Sequence, residues 1–325
     1  MIFWLLPLLL ALAVAAILVA AWRLPGGGSL AMRLTVLGLW AFGKPAADFQ
    51  RYKASLLHRS YPPDARLPKS LRALCHVTEE SVDGQRVVTL APRRGGGIRH
   101  ILYWHGGSYV SALVAPQWEI VRKLIEATGA TVTVPLYLLS PEYGHEPAFA
   151  VAETLFRRAL AAGPAGNILL AGDSAGANFA LGQTVRLRDQ GLPMPGHVVL
   201  FSPWLDLTLS NPEARKIEPS DPILAVDALR QCGQWWVRGA DPLNPVFSPL
   251  YAELEGLPPI TLVQGTRDLF LPDSRTFVGK AEAAGLDLRY LEYPGAFHVF
   301  VAATWTPESR DAFARLAQRL PAEPA

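Results

Sequence analysis

The feature that most constrains the fold is an alternation of short apolar runs with longer segments of helical character. The apolar runs are 86–91 (RVVTLA), 100–104 (HILYW), 131–135 (TVTVP), 167–172 (NILLAG), 197–202 (HVVLFS), 260–265 (ITLVQG) and 288–294 (LRYLEYP). Helix-like segments such as 118–129 and 149–163 lie between them. Strands that alternate with helices indicate βαβ units and a mostly parallel sheet covered by helices on both faces. The stretch NILLA is apolar after Asn167, which predicts a central strand buried on both sides.

The length and composition are typical of a globular domain. The chain has 325 residues, of which 50% are hydrophobic and 18% charged, enough to bury a full α/β core. The net charge is +2 and the basic residues are scattered, so we expect no nucleic-acid partner. Two cysteines, Cys75 and Cys232, are too few for a disulfide framework and match no zinc-binding motif. We expect two free, buried thiols, with a single disulfide as the alternative.

The first 22 residues form a separate unit. No charged side chain lies between Met1 and Trp22, and about twenty apolar residues can span a bilayer as a helix. We therefore predict an uncleaved membrane anchor; the alternative is a signal peptide cleaved near the small residues 19–21. The span is followed by basic residues, which favour a cytoplasmic location for the rest of the chain; a secreted or periplasmic location after signal cleavage is the alternative. These are Arg23, Arg33, Lys44, Arg51 and Lys53.

The segment GDSAG (172–176) is the candidate nucleophile site. A chain of this composition would show the bare G-x-S-x-G pattern by chance about once in ten. Here Ser174 follows the predicted central strand and opens a helical segment, and small residues flank it. This setting is typical of a nucleophile elbow, the sharp strand-to-helix turn that exposes a catalytic serine. A helix N-cap serine is the alternative, although it would not require small residues on both sides.

A serine hydroxyl needs a base, and the base needs an orienting acid. Of seven histidines, His298 follows the last predicted strand and a Pro-Gly turn, at the carboxyl edge of the sheet. Asp268 comes just after the strand ITLVQG; Asp206 and Asp273 are the alternative acids. The order Ser174, Asp268, His298 is the one that an α/β-hydrolase requires.

The segment YWHGGSY (103–109) ends another predicted strand and is the candidate oxyanion loop. The N–H groups of Gly106 and Gly107 can approach a substrate closely because no side chain blocks them. The N–H group of Ala175, directly after the nucleophile, would complete the oxyanion hole.

These motifs together resemble one family. HGGS, GDSAG, LLSPEY, SPWLDL, GTRDLF and AFHVF stand in the order seen in the hormone-sensitive-lipase-like branch of the α/β-hydrolases, over about residues 85–320. The resemblance implies ester hydrolysis with Ser174, Asp268 and His298 as triad and no metal or organic cofactor. Two departures are Ser108, where a third glycine is common, and Leu269-Phe270, where Pro-Leu usually follows the acid.

The resemblance also implies a cap built from the N-terminal helices and the insertion after SPWLDL. Together with the apolar N-terminus, it predicts an anchor or signal segment at 1–22, an N-terminal helical cap segment at 23–75, and a catalytic domain at 76–325 with a cap insertion at about 207–250. The insertion lies where ligands approach an open α/β sheet.

We thus expect a serine esterase or deacetylase that acts on small to medium, apolar esters through an acyl-enzyme. The expected pocket residues are Ser108, Tyr109, Trp235 and Trp236. Two alternatives remain: an amidase or arylformamidase with the same triad, and a non-catalytic ligand-binding protein on the hydrolase scaffold. The oligomeric state is not predicted.

Overall fold

The computed structural model describes residues 14–44, 48–57 and 64–320. Residues 14–23 are helical. The strands that follow are β1 Cys75–Val82, β2 Gln85–Pro92, β3 His100–Trp104, β4 Thr131–Leu136, β5 Ile168–Asp173, β6 His197–Phe201, β7 Ile260–Gly265 and β8 Leu288–Tyr293. The α-helices are α1 Leu30–Phe42, α2 Phe49–Leu57, α3 Lys69–Leu74, α4 Ala115–Thr128, α5 Glu146–Ala162, α6 Ala175–Asp189, α7 Glu213–Ile217, α8 Val226–Val237, α9 Leu271–Ala283 and α10 Pro307–Arg319.

The strands form one sheet with the order β1-β2-β4-β3-β5-β6-β7-β8. The pairs β1·β2 and β2·β4 are antiparallel, and every pair from β4·β3 to β7·β8 is parallel. The predicted mostly parallel sheet is thereby confirmed. Strand β1 was not predicted from the sequence. This edge strand is mostly exposed and carries the polar run Thr78–Ser81 instead of an apolar run.

The central strand β5 divides the core into two layers. Leu170 belongs to the cluster that contains Phe179 of α6, whereas Leu169 belongs to the cluster that contains Trp118 of α4 and Phe313 of α10. Alternate side chains of a strand point to opposite faces, so a strand covered by helices on both sides must be apolar throughout. Cys75 and Cys232 are free and buried, as the sequence indicated.

The N-terminal segment packs against α10 and the loop that follows β7. Ser29 caps α1 by accepting a hydrogen bond from the Met32 N–H at 3.1 Å, and its own hydroxyl donates to Glu308 of α10 at 2.9 Å. The Arg267 guanidinium donates to the Pro25 carbonyl and lies over the Trp40 ring. These contacts hold α1 beside the loop that follows β7.

The predicted membrane anchor requires a correction. Across residues 14–44, 48–57 and 64–320, no helix combines the length and the apolar character needed to cross a membrane. This finding overturns the predicted single-helix anchor at 1–22 and, with it, the predicted membrane-bound localisation and membrane partner. Residues 1–13 of that segment lie outside the described residues.

Close packing of α6 on β3 generates a stability prediction. A Cβ added at Gly176 would lie 2.5 Å from the Trp104 carbonyl carbon, so the helix could not keep its position. We expect Gly176→Ala to lower the free energy of unfolding by about 1 to 3 kcal/mol, measured by urea denaturation.

Gly279 provides the matched control, because it lies within α9 with no atom near its added Cβ. Gly279→Ala should raise stability by about 0.5 to 1 kcal/mol, the usual gain for alanine in a helix interior. Equal effects of the two substitutions would contradict the close-packing argument.

Candidate active site

Ser174 lies on a strained turn between β5 and α6. Its backbone has φ 55° and ψ −120°, a conformation that costs about 1 to 3 kcal/mol for a residue with a side chain. The turn is held by the Ser174 N–H, which donates to the Phe201 carbonyl of β6 at 2.9 Å. Added Cβ atoms at Gly172 and Gly176 would overlap backbone atoms, which explains the glycines on both sides. This local geometry is that of a nucleophile elbow.

His298 and Asp268 form a buried hydrogen-bonded pair. His298 Nδ1 lies 2.8 Å from Asp268 Oδ2, and their side chains are 6% and 0% exposed. Asp268 Oδ1 accepts the Phe270 N–H at 2.9 Å, which fixes the carboxylate. A carboxylate accepts only, so Nδ1 carries the proton and Nε2 is left as the basic nitrogen.

Burial and charge act in opposite directions on His298. Burial by itself lowers the pKa of the imidazole, since a charged ring is poorly solvated there. The charge and hydrogen bond of Asp268, together with the charges of Asp221 and Asp173, more than offset this effect. The pKa of His298 is therefore raised above its ordinary value.

Neither alternative acid is hydrogen-bonded to a histidine within the described ranges. Asp206 accepts hydrogen bonds from Thr208 and Ser210 at 2.7 to 3.0 Å. Asp273 is buried, and no histidine among the described residues donates a hydrogen bond to its carboxylate. Burial, followed by the charge of Asp206, raises the pKa of Asp273 to about 7. Of the three candidates, only Asp268 stands beside His298.

The histidines of the parallel strands, His100 and His197, have a structural role: each is hydrogen-bonded to a threonine of a neighbouring strand. His100 and His197 bond the hydroxyls of Thr133 and Thr261 at 2.8 and 2.9 Å. Burial is the main cause that lowers the pKa of His197 to about 4, so this ring stays neutral near pH 7.

The loop after β3 is tied to the nucleophile strand through Asp173. Asp173 Oδ1 accepts the Tyr103 hydroxyl at 2.5 Å and the Gly106 N–H at 3.0 Å, and Oδ2 accepts Gln117 Nε2 at 2.9 Å. The Gly106 N–H, expected to face the substrate, is thus already engaged. No hydrogen bond within the described part of the chain engages the N–H groups of Gly107, Ser108 or Ala175.

Ser174 and His298 open into one large apolar cavity. Its volume is about 910 Å³, and its wall includes Gly106, Gly107 and Ser108 of the loop after β3. Helix α1 contributes residues from Ala31 to Phe42, and the insertion contributes residues from Ile223 to Cys232. Among the described residues, no hydrogen bond joins Ser174 Oγ to His298; such bonds often tighten only when substrate is bound.

Three of the four expected pocket residues lie elsewhere. Ser108 lines the cavity, but Tyr109, Trp235 and Trp236 are absent from its described wall. The Tyr109 hydroxyl donates to Asn178 at 2.5 Å, and its ring stacks on Trp236 with centroids 3.9 Å apart. Trp235 is half-buried against the same core. These aromatic residues join the insertion to α6 and are structural, because aromatic area is equally suited to core packing.

The comparisons with known proteins agree with this geometry. A family model described as alpha/beta hydrolase fold matches residues 101–302. The chain belongs to the α/β-hydrolase family. An acetyl-hydrolase of Streptomyces hygroscopicus is 36% identical over 212 residues, 64% of this chain and 70% of its own length. An esterase of Acinetobacter venetianus is 31% identical over 267 residues, 77% of this chain and 88% of its own.

A solved structure narrows the assignment within the α/β-hydrolases. An esterase from the bacterial hormone-sensitive lipase family superposes with a TM-score of 0.73 at 27% identity, covering 90% of this chain and 98% of that one. The predicted branch of the α/β-hydrolase family is confirmed, and so is the predicted activity class, a carboxylesterase-type hydrolase.

The hydrogen bonds of Asp173 lead to a second stability prediction for this α/β-hydrolase. Asp173→Ala would leave the Tyr103 hydroxyl, the Gly106 N–H and the Gln117 amide without their shared acceptor. We expect a loss of about 3 kcal/mol or more, measured by urea denaturation, because buried unpaired donors keep their desolvation cost. Tyr103→Phe, which removes one bond only, should cost about 1.5 to 3 kcal/mol. An equal or larger loss in the phenylalanine variant would contradict the shared-acceptor argument.

Proposed function

We propose that this hydrolase cleaves neutral, apolar carboxylic esters through an acyl-enzyme on Ser174. The observation that carries the proposal is that the elbow serine and His298, which is hydrogen-bonded to Asp268, line the same apolar cavity. The names of the relatives, acetyl-hydrolase and esterase, support ester cleavage.

The reaction proceeds in two acyl-transfer steps. Ser174 Oγ attacks the ester carbonyl carbon and passes its proton to His298 Nε2, while Asp268 stabilises the resulting imidazolium. The tetrahedral intermediate collapses as the C–O bond to the alcohol breaks, and His298 returns the proton to the departing alkoxide oxygen. A water molecule then attacks the acyl-enzyme by the same route and releases the acid and free Ser174. The scheme needs no metal ion or organic cofactor.

The oxyanion hole is assigned to the free amides of the site. The Gly107, Ser108 and Ala175 N–H groups are proposed as donors, and Gly106 is replaced in this role because Asp173 already accepts its N–H. Each well-placed donor contributes about 3 to 4 kcal/mol to stabilising the transition state in comparable sites. Gly107 adopts φ 116°, which a residue with a side chain rarely reaches, so the loop shape depends on glycine there.

The cavity wall supports the substrate class. Its ionisable residues among the described ones are Asp173, Cys232 and His298; no lysine or arginine is present to pair with a charged substrate. Small side chains such as Ala31, Ala225 and Ala302 leave room for the organic groups of the ester. A neutral ester loses little hydration on entering such a wall, whereas a carboxylate-bearing one would be buried unpaired.

The same wall supports a cap formed from two segments. Helix α1, from the N-terminal segment 23–75, and α8, from the insertion at about 207–250, both line the cavity. Lys53 of α2 donates to Gln231 of α8 at 3.1 Å, which joins the two segments. We assign both to the cap and residues 76–325 to the catalytic domain.

The proposal is tested by fluorophosphonate labelling and p-nitrophenyl ester hydrolysis. The wild type should be labelled and should hydrolyse neutral p-nitrophenyl esters, with the preferred acyl length read from an acetate-to-decanoate series. Ser174→Ala should lose labelling and reduce kcat by about 10⁴-fold or more. A p-nitrophenyl ester with a terminal carboxylate should be a poor substrate because the wall offers it no cation.

Ser111 supplies the matched control, since it lines the same cavity without standing on the elbow. Ser111→Ala should be labelled like the wild type. Undiminished labelling of Ser174→Ala, or no labelling of the wild type, would overturn the assignment of the nucleophile.

The state of His298 sets the pH dependence. Neutral imidazole is the active base, so kcat/KM rises with pH as His298 loses its proton. Because the surrounding carboxylates raise its pKa, the midpoint should lie on the alkaline side of the ordinary histidine value, about 6.5. Initial rates corrected for the Ser174→Ala background measure the profile. A flat profile between about pH 5 and 8 would contradict His298 as the base.

A further inference from the structure

A third buried carboxylate, Asp221, lies beside the catalytic pair and belongs to the insertion. It is 2% exposed, and its partners are backbone amides. Oδ1 accepts the N–H groups of Ile223 and Leu224 at 2.8 and 2.9 Å, and Oδ2 accepts the N–H group of Leu269 at 2.9 Å. One carboxylate therefore joins the insertion to the loop that carries Asp268.

The two ends of this bridge are functional parts of the site. Leu269 directly follows Asp268, and the next amide, Phe270 N–H, donates to Asp268 itself. Of two consecutive amides in the acid loop, the first therefore donates to Asp221 and the second to Asp268. At the other end, Ile223 and Leu224 line the substrate cavity.

The position of Asp221 is fixed from several sides. No ion pair to its carboxylate occurs among the described residues, so three amides provide the stabilisation that a buried charge requires. Lys44, just after α1, donates to the main-chain carbonyls of Asp221 and Glu218 at 3.2 and 3.0 Å. Glu218 in turn accepts the N–H group of Val226 at the start of α8.

We propose that Asp221 is a positioning residue: its carboxylate holds the acid loop and the cavity wall in one arrangement, so that Asp268 orients His298 while substrate is bound against Ile223 and Leu224. The proposal rests on the triad proposed above. No motif marks this residue in the sequence, since Asp221 stands 47 positions before Asp268.

Electrostatics gives Asp221 a second effect. Burial and the charge of Asp268 raise the pKa of Asp221 to about 6, while the amides and His298 oppose the rise. When ionised, Asp221 adds to Asp268 and Asp173 in raising the pKa of His298. Loss of the Asp221 charge therefore lowers the pKa of His298, and neutral imidazole then forms at lower pH.

The test compares Asp221→Asn with the wild type in the full chain. Asparagine keeps one acceptor oxygen and presents an NH₂ group to an amide on the other side, so the bridge breaks. We expect kcat/KM for a p-nitrophenyl ester to fall about tenfold or more, and the midpoint of its acid limb to move to lower pH.

Asp206→Asn is the matched control. Asp206 is also buried, lies directly before the insertion and accepts the backbone amides of Thr208 and Ser210, but no hydrogen bond among the described residues joins its carboxylate to the acid loop. This variant should lose stability without moving the midpoint. An equal shift in the control, or a wild-type profile in folded Asp221→Asn, would overturn the proposal.

Asp221→Glu covers the case in which the asparagine variant does not fold. It retains the charge but places it one methylene away, so kcat/KM should fall while the midpoint stays near the wild-type value. Undiminished kcat/KM in this folded variant would also overturn the proposal. Fluorophosphonate labelling of the wild type, lost in Ser174→Ala, tests the triad separately, so failure of one assignment is distinguishable from failure of the other.

Discussion

The close approach of α6 to the centre of the sheet is the constraint on which the site depends. Helix α6 begins one residue after β5 ends; Gly172 lets its first turn lie close to β5, and Gly176 lets the same turn contact the backbone of β3. Ser174 must then adopt a positive φ, and the cost is offset by its N–H bond to β6 and by the packing around it. Because β5 is paired on both sides by parallel strands, the elbow cannot relax without breaking the centre of the sheet.

The residue before the nucleophile extends this constraint to the oxyanion loop. Asp173 uses both carboxylate oxygens to bind β3, the following loop and α4. The loop is held at its Gly106 amide, and no hydrogen bond within the described part of the chain engages the next two amides, which are the proposed oxyanion donors. A single buried carboxylate thus relates the position of this loop to that of Ser174.

The sequence predicted those parts of the molecule that local pattern determines. Buried parallel strands must be apolar at successive positions, and a nucleophile elbow requires small residues beside the serine. Both features can therefore be predicted from short segments of the sequence. The edge strand β1 was missed because its exposed residues are polar. The membrane anchor was predicted from the hydropathy of residues 1–22 alone, with no tertiary contact to test it.

The remaining differences between prediction and structure concern which way a side chain points and which residues distant in the chain come together. A sequence pattern specifies neither. Tyr109 and Trp236 stand near the expected pocket in sequence, yet they stack on each other, because a one-residue change along a turn or helix decides which side faces the cavity. The Gly106 N–H, expected to face a substrate, instead donates to Asp173. Asp221 is far from Asp268 along the chain, and only the folding of the insertion onto the acid loop brings them together.

In the proposed mechanism, the carboxylates around His298 balance two opposing requirements of an acyl-transfer base. Negative charge would stabilise the imidazolium formed when Ser174 is deprotonated and so lower the barrier of each step. The same charge raises the pKa of the resting histidine, which reduces the fraction of active base at acidic pH. Burial opposes this rise, so enclosure of the site keeps part of the histidine neutral without removing the charges. A carboxylate such as Asp221, which itself takes up a proton near pH 6, withdraws its contribution as the solution becomes acidic and thereby limits the rise. The carboxylates therefore stabilise the imidazolium most strongly at the pH values at which the resting His298 is neutral.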